Sequence, residues 1–188
     1  MASVRTFIAF DTPEAIRQSI MAFQSELRKS GADVRWESPD KFHVTIKFLG
    51  NVDESRLPGL TRQIQSACEN HRSFEIWYRG AGGFPDLKHP RVIWLGCENE
   101  DGTLARIKSS LDALLLPDGF EIEERPFRPH ITLGRIRSPK GLHHLTPKLE
   151  NLTFEPQMGT IREVLVVKSV LRPQGAAYTV LSSIQLQS

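Results

Sequence analysis

Apolar and polar positions alternate and cluster in a way that divides the chain into short strands and amphipathic helices. Val4 to Phe10 reads as a short buried strand. Asp11-Thr12-Pro13-Glu14 follows and predicts a helix start with a side-chain cap and a proline in the first turn. Ile16, Ile20, Phe23 and Leu27 recur at helical spacing on one face, and Gly31 is placed to close that helix. A strand is predicted from Phe42 to Phe48, ending at Gly50-Asn51, then a helix with Leu57, Leu60, Ile64 and Ala67 on one face. A third helix is predicted between Asp101 and Leu116, with Leu104, Ile107, Leu111 and Leu114 inward and Pro117 ending it. Strand-like segments recur at Ser73–Gly80, Arg91–Cys97, His130–Ile136, Asn151–Glu155, Ile161–Val170 and Tyr178–Ile184.

This order contains a faint internal duplication. Under a shift of 87 residues (130 minus 43) His43 falls on His130, and without a gap the Val4–Phe10 strand falls on Arg91–Cys97. Ile20 then lies on Ile107 and Leu27 on Leu114. Each half reads strand, helix, strand, with a histidine on the second strand. The expectation is two similar lobes facing each other across a pseudo-twofold axis, residues 1–188 forming a single two-lobed domain.

The histidines carry the candidate chemistry. Lys41-Phe42-His43-Val44-Thr45-Ile46-Lys47-Phe48 and Arg128-Pro129-His130-Ile131-Thr132-Leu133-Gly134-Arg135 each hold a histidine and a threonine two apart in a strand-like run. Side chains alternate faces along a strand, so His43 shares a face with Thr45, and His130 with Thr132. A single His-x-Thr on an amphipathic strand is usually structural; two at equivalent places in a duplicated unit point to a shared cleft. In-line opening of a cyclic phosphodiester needs a base for water and an acid for the leaving oxygen. Imidazole, titrating near pH 6.5, can serve as either. Threonine hydroxyls and an arginine can hold the non-bridging oxygens.

Composition changes this picture little. The 188 residues are 39% hydrophobic and 24% charged, with a formal net charge of +2, which permits an anionic ligand without demanding one. Cys68 and Cys97 lack metal-ligand spacing and read as reduced core thiols. No run approaches a membrane span, and the N-terminal segment reaches Asp11 too soon for a secretory signal, so a cytoplasmic location is expected.

The paired motifs resemble those of the two-histidine phosphoesterase superfamily. The chain is more closely similar to the bacterial and archaeal RNA 2′,3′-cyclic phosphodiesterases, the LigT-like or 2′-5′ RNA ligase family. The likeness includes Arg5-Thr6-Phe7-Ile8-Ala9-Phe10-Asp11, Phe84-Pro85 with Pro90–Gly96, and Leu171-Arg172-Pro173. It implies a bilobed α+β fold in which each lobe's antiparallel sheet, with helices on its outer face, contributes one motif to a central cleft. It also implies hydrolysis of RNA 2′,3′-cyclic phosphate ends to 2′-phosphomonoesters without metal or cofactor, and reversible 2′-5′ ligation in vitro by some members. By motif position His43 is the proton donor and His130 the proton acceptor, with Thr45 and Thr132 as phosphate contacts; the residues themselves leave the two roles interchangeable. RNA, tRNA fragments included, is the implied partner, and a monomer the implied state.

Arg135 follows His130 by five and is a candidate phosphate contact, although strict alternation puts it on the opposite face; a bulge or strand end at Gly134 would reorient it. Arg128 lies on the His130 face by alternation. With Arg125, Arg137 and Lys140 these form a basic cluster open to an RNA backbone. Phe48, Phe84, Trp77 and Trp94 are candidate base platforms for which core packing is the favoured reading, Phe84 being the least core-like. His71, His89, His143 and His144 have no partners that would make a site. The alternatives are a small cyclic nucleotide or 2′,5′-oligoadenylate as substrate, a non-catalytic RNA-binding module, and a metal-dependent nuclease.

Overall fold

The structure, a computed structural model, describes residues 3–173 and 175–188. Nine strands and four α-helices run in the order β1 (Ser3–Asp11), α1 (Glu14–Arg28), β2 (Val34–Trp36), β3 (His43–Asp53), α2 (Leu57–Cys68), β4 (Phe74–Phe84), β5 (Val92–Glu98), α3 (Thr103–Leu115), β6 (His130–Ile136), α4 (Leu142–Asn151), β7 (Gln157–Ile161), β8 (Glu163–Arg172) and β9 (Gly175–Gln185) among the described residues. They form two antiparallel sheets, one ordered β3-β1-β8-β9 and the other β2-β6-β5-β4-β7. The fold is α+β, as the family resemblance implied, and two-lobed, as the repeat in element order suggested.

The duplicated halves appear as β1–α1–β3 and β5–α3–β6, with β1 paired to β3 in the first sheet and β5 to β6 in the second. Their helices cross over. Gln24 of α1 donates to the carbonyl of Leu133 on β6, and Ile16 of α1 lies against Gly159 of β7, so α1 covers the second sheet, beside α4. In exchange α3 packs on β3 and, together with α2, covers the first sheet. Each lobe therefore buries a helix from the other half of the chain, and this ties the lobes together.

One large apolar cluster lies between the sheets' inner faces and these helices, and includes Ile20, Leu27, Val44, Ile46, Ile93, Ile107, Ile131 and Leu133. Cys68 and Cys97 are buried free thiols; burial pushes Cys68 up to about 12 and raises Cys97 as well. A lysine also enters this interior. Lys47, 1% exposed, donates to Asp112 of α3 at 2.6 Å and to the carbonyl of Glu121 at 2.8 Å, while Lys108 holds the other Asp112 oxygen at 2.5 Å. Burial would raise the Asp112 carboxyl, but the bonds from Lys108 and Lys47 outweigh it and hold it below its ordinary range.

Several local expectations change. Pro13 caps α1 without a side-chain bond; the Asp11 carboxylate instead receives Arg17 at 2.8 Å. Gly31 does follow α1 with φ of 69°. On α3, Leu115 rather than Leu114 faces inward, and Leu114 is exposed. Residues 152–156 are not a strand: the alternation of Leu152 and Phe154 anchors an irregular segment, with Phe154 edge-on to Phe23 at 5.6 Å. The helix α4, carrying exposed His143 and His144, and the three-residue β2 had no clear signal in the pattern. Among the described residues no helix is long and apolar enough to cross a membrane.

Candidate active site

The two His-x-Thr segments open β3 and β6, and these strands approach each other across the lobes with Cα atoms within 8 Å. On β3, Val44 and Ile46 are buried while His43 and Thr45 are half-buried on the other face; on β6, Ile131 and Leu133 are buried while His130 and Thr132 are half-buried. The alternation expected from the sequence therefore holds through both motifs. The charge of His130 is one of the influences felt by His43, so the rings share one electrostatic environment.

One of the two rings is oriented by a bond to the backbone. His130 Nδ1 lies 2.7 Å from the carbonyl oxygen of Arg128. At His43 the backbone of Lys41, likewise two residues before the ring, acts to favour the protonated form. A carbonyl can only accept, so in His130 Nδ1 carries the proton and Nε2 is left free for the cleft. Arg128 thus contributes through its backbone; its side chain is exposed.

The rings sit among aromatic neighbours. Phe7 stacks on His43 with centroids 4.9 Å apart and an interplanar angle of 30°, and Tyr178 meets His43 edge-on at 5.1 Å. Phe84 meets His130 edge-on at 5.0 Å and is itself backed by Trp94 at 5.1 Å. Trp94 needs a bare position beneath it: a Cβ on Gly82, its cross-strand partner, would come within 2.5 Å of the indole. The strand next to His130 is bare as well, since Gly96 is its register partner and a Cβ there would meet the Arg79 carbonyl at 2.7 Å.

This setting lowers both histidines. Burial pushes His43 down to about 4, with Arg17 and His130 adding to the depression and the bond to Lys41 opposing it. Burial likewise lowers His130, helped by Arg135 and opposed by the bond to Arg128. The ordinary imidazole value used in reading the sequence does not apply here. Before substrate binds, the neutral form is favoured at both rings, and an anion beside them would draw protons back.

A matched pair of bulges sets the remaining cleft residues. Register shifts opposite Ile8/Ala9 on β1 and Ile93/Trp94 on β5 leave Ile46 and Leu133 as extra residues. Each bulge reverses the alternation that follows. Arg135 is therefore turned to the His130 side, with the bulge at Leu133, one residue before the position anticipated, and Gly134 pressed against Val34 and Trp36 of β2. The Arg135 guanidinium lies 3.5 Å from Glu37, with roughly half of its side chain open. The same reversal exposes Phe48, 58% accessible, which corrects its expected place in the core. Trp77 is half-buried with Arg79 over its ring at 5.8 Å, and Arg125, Arg137 and Lys140 are exposed.

Sequence reasoning missed Tyr178, Phe7 and Arg5. Tyr178, on β9, is raised by burial, and among the charges it senses are Glu37, Arg135, Arg5 and Arg35. Three of these are cations from different elements, so no local motif could have grouped them. A cavity of about 560 Å³ opens beside His43, lined by Asp11, Arg17, Tyr178, Leu165, Val167 and Val180 among others. It does not reach His130, and is a bay to one side of the paired histidines. Among the described residues no three His, Cys, Asp or Glu side chains gather as a metal site would require.

The family model described as LigT like Phosphoesterase matches the chain twice in tandem, over residues 10–94 and 95–178, each match containing one motif. An RNA 2′,3′-cyclic phosphodiesterase of Methanothermobacter thermautotrophicus is 35% identical, covering 94% of this chain and 95% of its own. One of Thermotoga maritima is 33% identical, covering 98% and 96%. A solved structure from Thermus thermophilus superposes with a TM-score of 0.80 at 26% identity, covering 98% of both chains. E. coli LigT complexed with 3′-AMP gives 0.78 at 25% identity, covering all of both. With its tandem matches, its bilobed fold and its paired motifs, the chain belongs to the LigT-like phosphoesterase family.

Proposed function

We propose that this protein hydrolyses RNA ends bearing a 2′,3′-cyclic phosphate to 2′-phosphomonoesters, using His43 as proton donor and His130 as proton acceptor. The observation that carries the reading is the matched presentation of two half-buried His-x-Thr pairs on strands that approach across the lobes, His43 with Thr45 on β3 and His130 with Thr132 on β6. The names of the relatives add to it. In the step proposed, His130 Nε2 takes a proton from water as the water oxygen bonds to phosphorus. The P–O3′ bond breaks on the far side, and His43 Nε2–H delivers its proton to O3′. Thr45 and Thr132 hydroxyls donate to the non-bridging oxygens, and Arg135 balances their charge. Solvent exchange then returns a proton to His43 and removes one from His130.

Burial lowers both rings, His43 to about 4, so a protonated His43 is a strong acid toward a poor leaving alkoxide. A 5′-hydroxyl in place of water would give a 2′,5′ linkage by the same proton transfers. RNA fragments, those of tRNA included, are the proposed substrates, and the protein acts as a monomer without metal.

The test is a short RNA ending in a 2′,3′-cyclic phosphate, incubated in excess EDTA and followed by phosphorus NMR. Clean conversion to the 2′-phosphate is expected, with His43→Ala and His130→Ala each losing at least ~10²-fold in rate. Near-normal turnover in either variant, or arrest by EDTA, would sink the mechanism. An intact cyclic end would turn the reading toward a small cyclic nucleotide.

A further inference from the structure

Arg35 stands where folding gains nothing from a charge. It is the middle residue of β2, half-buried, and its register partner on β6 is Arg135. Residues directly opposite in an antiparallel pair share a face with Cα atoms about 5 Å apart, and like charges so placed repel. Both guanidiniums therefore leave the sheet on the side of His130. The nearest carboxylate is already divided: Glu37 lies 3.5 Å from Arg135 and 3.5 Å from Lys41. Among the described residues Arg35 pairs with no carboxylate. Tyr178 marks the same space from the other lobe. Burial raises it, Glu37 adds to this, and Arg135, Arg5 and Arg35 all act against it, so arginines from β6, β1 and β2 converge there from both sheets. In the reaction proposed, the cyclic phosphate brings one negative charge and takes Arg135. The cations gathered around it exceed what that phosphate needs.

We propose that Arg35 binds a second phosphate of the RNA strand, the diester that joins the terminal nucleotide to the one before it. This rests on the reaction proposed above. β2 is the outer edge of its sheet, with β6 next to it, so Arg35 lies outward of Arg135 and the next phosphate along the strand meets it there. A diester carries one negative charge on two non-bridging oxygens, and a guanidinium can pair with both at once. Binding it relieves the repulsion between the two opposed arginines, each then holding an anion of its own. A phosphate contact carries no base information, so the subsite discriminates strand length rather than sequence.

The experiment compares kcat/KM of the wild type, Arg35→Gln and Arg35→Lys on three substrates. These are a 2′,3′-cyclic mononucleotide, a trinucleotide with a 2′,3′-cyclic end, and that trinucleotide with a neutral methylphosphonate in place of the diester nearest its end. The wild type should favour the charged trinucleotide over the methylphosphonate by about 10–100-fold, the scale of a hydrogen bond to a charged group. In Arg35→Gln the two trinucleotides should converge. Its loss on the charged trinucleotide should exceed its loss on the mononucleotide by the same factor, chiefly in KM, and Arg35→Lys should keep part of the preference. Added salt should weaken the charged trinucleotide more steeply than the methylphosphonate in the wild type, and both alike in Arg35→Gln. A wild type indifferent to the methylphosphonate, or a full preference surviving in Arg35→Gln, would overturn the subsite while leaving the reaction standing. If the wild type opens none of the three, the reaction itself falls and the subsite with it.

Discussion

Raising the pH is expected to weaken this enzyme before it reaches substrate, and the size of the effect follows from the burial of the two histidines. His43 is held near 4 and His130 below the ordinary 6.5 in the free protein, in both cases chiefly by burial. In the mechanism proposed, the productive form carries one proton on the pair, on His43, with His130 neutral. The two rings influence one another, so the protons leave in two macroscopic steps that belong to the pair. Above the second step the productive form falls tenfold per pH unit. Both steps lie below 6.5, so kcat/KM should drop between pH 6.5 and 8 by up to roughly thirtyfold, the limit of tenfold per unit. Lowering the pH below about 4 protonates both rings and removes the base, giving the acid limb. In the complex the anionic phosphate raises both rings, by ~1–3 units for a charge at contact. The alkaline limb of kcat should therefore lie higher than that of kcat/KM. Initial rates on the cyclic trinucleotide at constant ionic strength, across both limbs, would resolve them. In His43→Ala the residual rate should lose the alkaline limb, because no donor proton remains to be titrated. A kcat/KM that is level or rising from about pH 6.5 to 8 would refute the reasoning, since the free imidazoles would then not be depressed.

Two further outcomes follow from named contacts. Arg135→Met should raise KM for the cyclic end and lower kcat/KM by about 10–100-fold, the scale of a hydrogen bond to a charged group; unchanged kinetics in steady-state assays would show that the guanidinium serves only Glu37. Lys47→Met keeps the buried stem but removes the bonds to Asp112 and to the Glu121 carbonyl, while Asp112 retains Lys108. The expected cost is about 1–3 kcal/mol, from the lost hydrogen bond to the Asp112 carboxylate and less than the full cost of breaking a buried pair. An unmoved urea midpoint would refute it.

Much of the fold and the centre of the site were legible in the residues because they rest on short-range rules. Alternation along a strand places His43 with Thr45 and His130 with Thr132 wherever those strands lie, and helical spacing marks Ile16 through Leu27 as one buried face. The shift relating His43 to His130 also survives as a real correspondence of strands and helices. Tertiary structure decided what depends on pairing between distant segments. The bulges at Ile46 and Leu133 exist only against β1 and β5, and they determine that Phe48 and Arg135 face the cleft. Whether Lys47 is solvated or buried depends on Asp112, 65 residues away. The crossing of α1 and α3 between lobes leaves no trace in their periodicity, which shows that a face is buried but not against what. The depression of the two histidines is likewise a property of the closed cleft, because desolvation comes from the Phe7, Tyr178 and Phe84 rings that folding gathers around them.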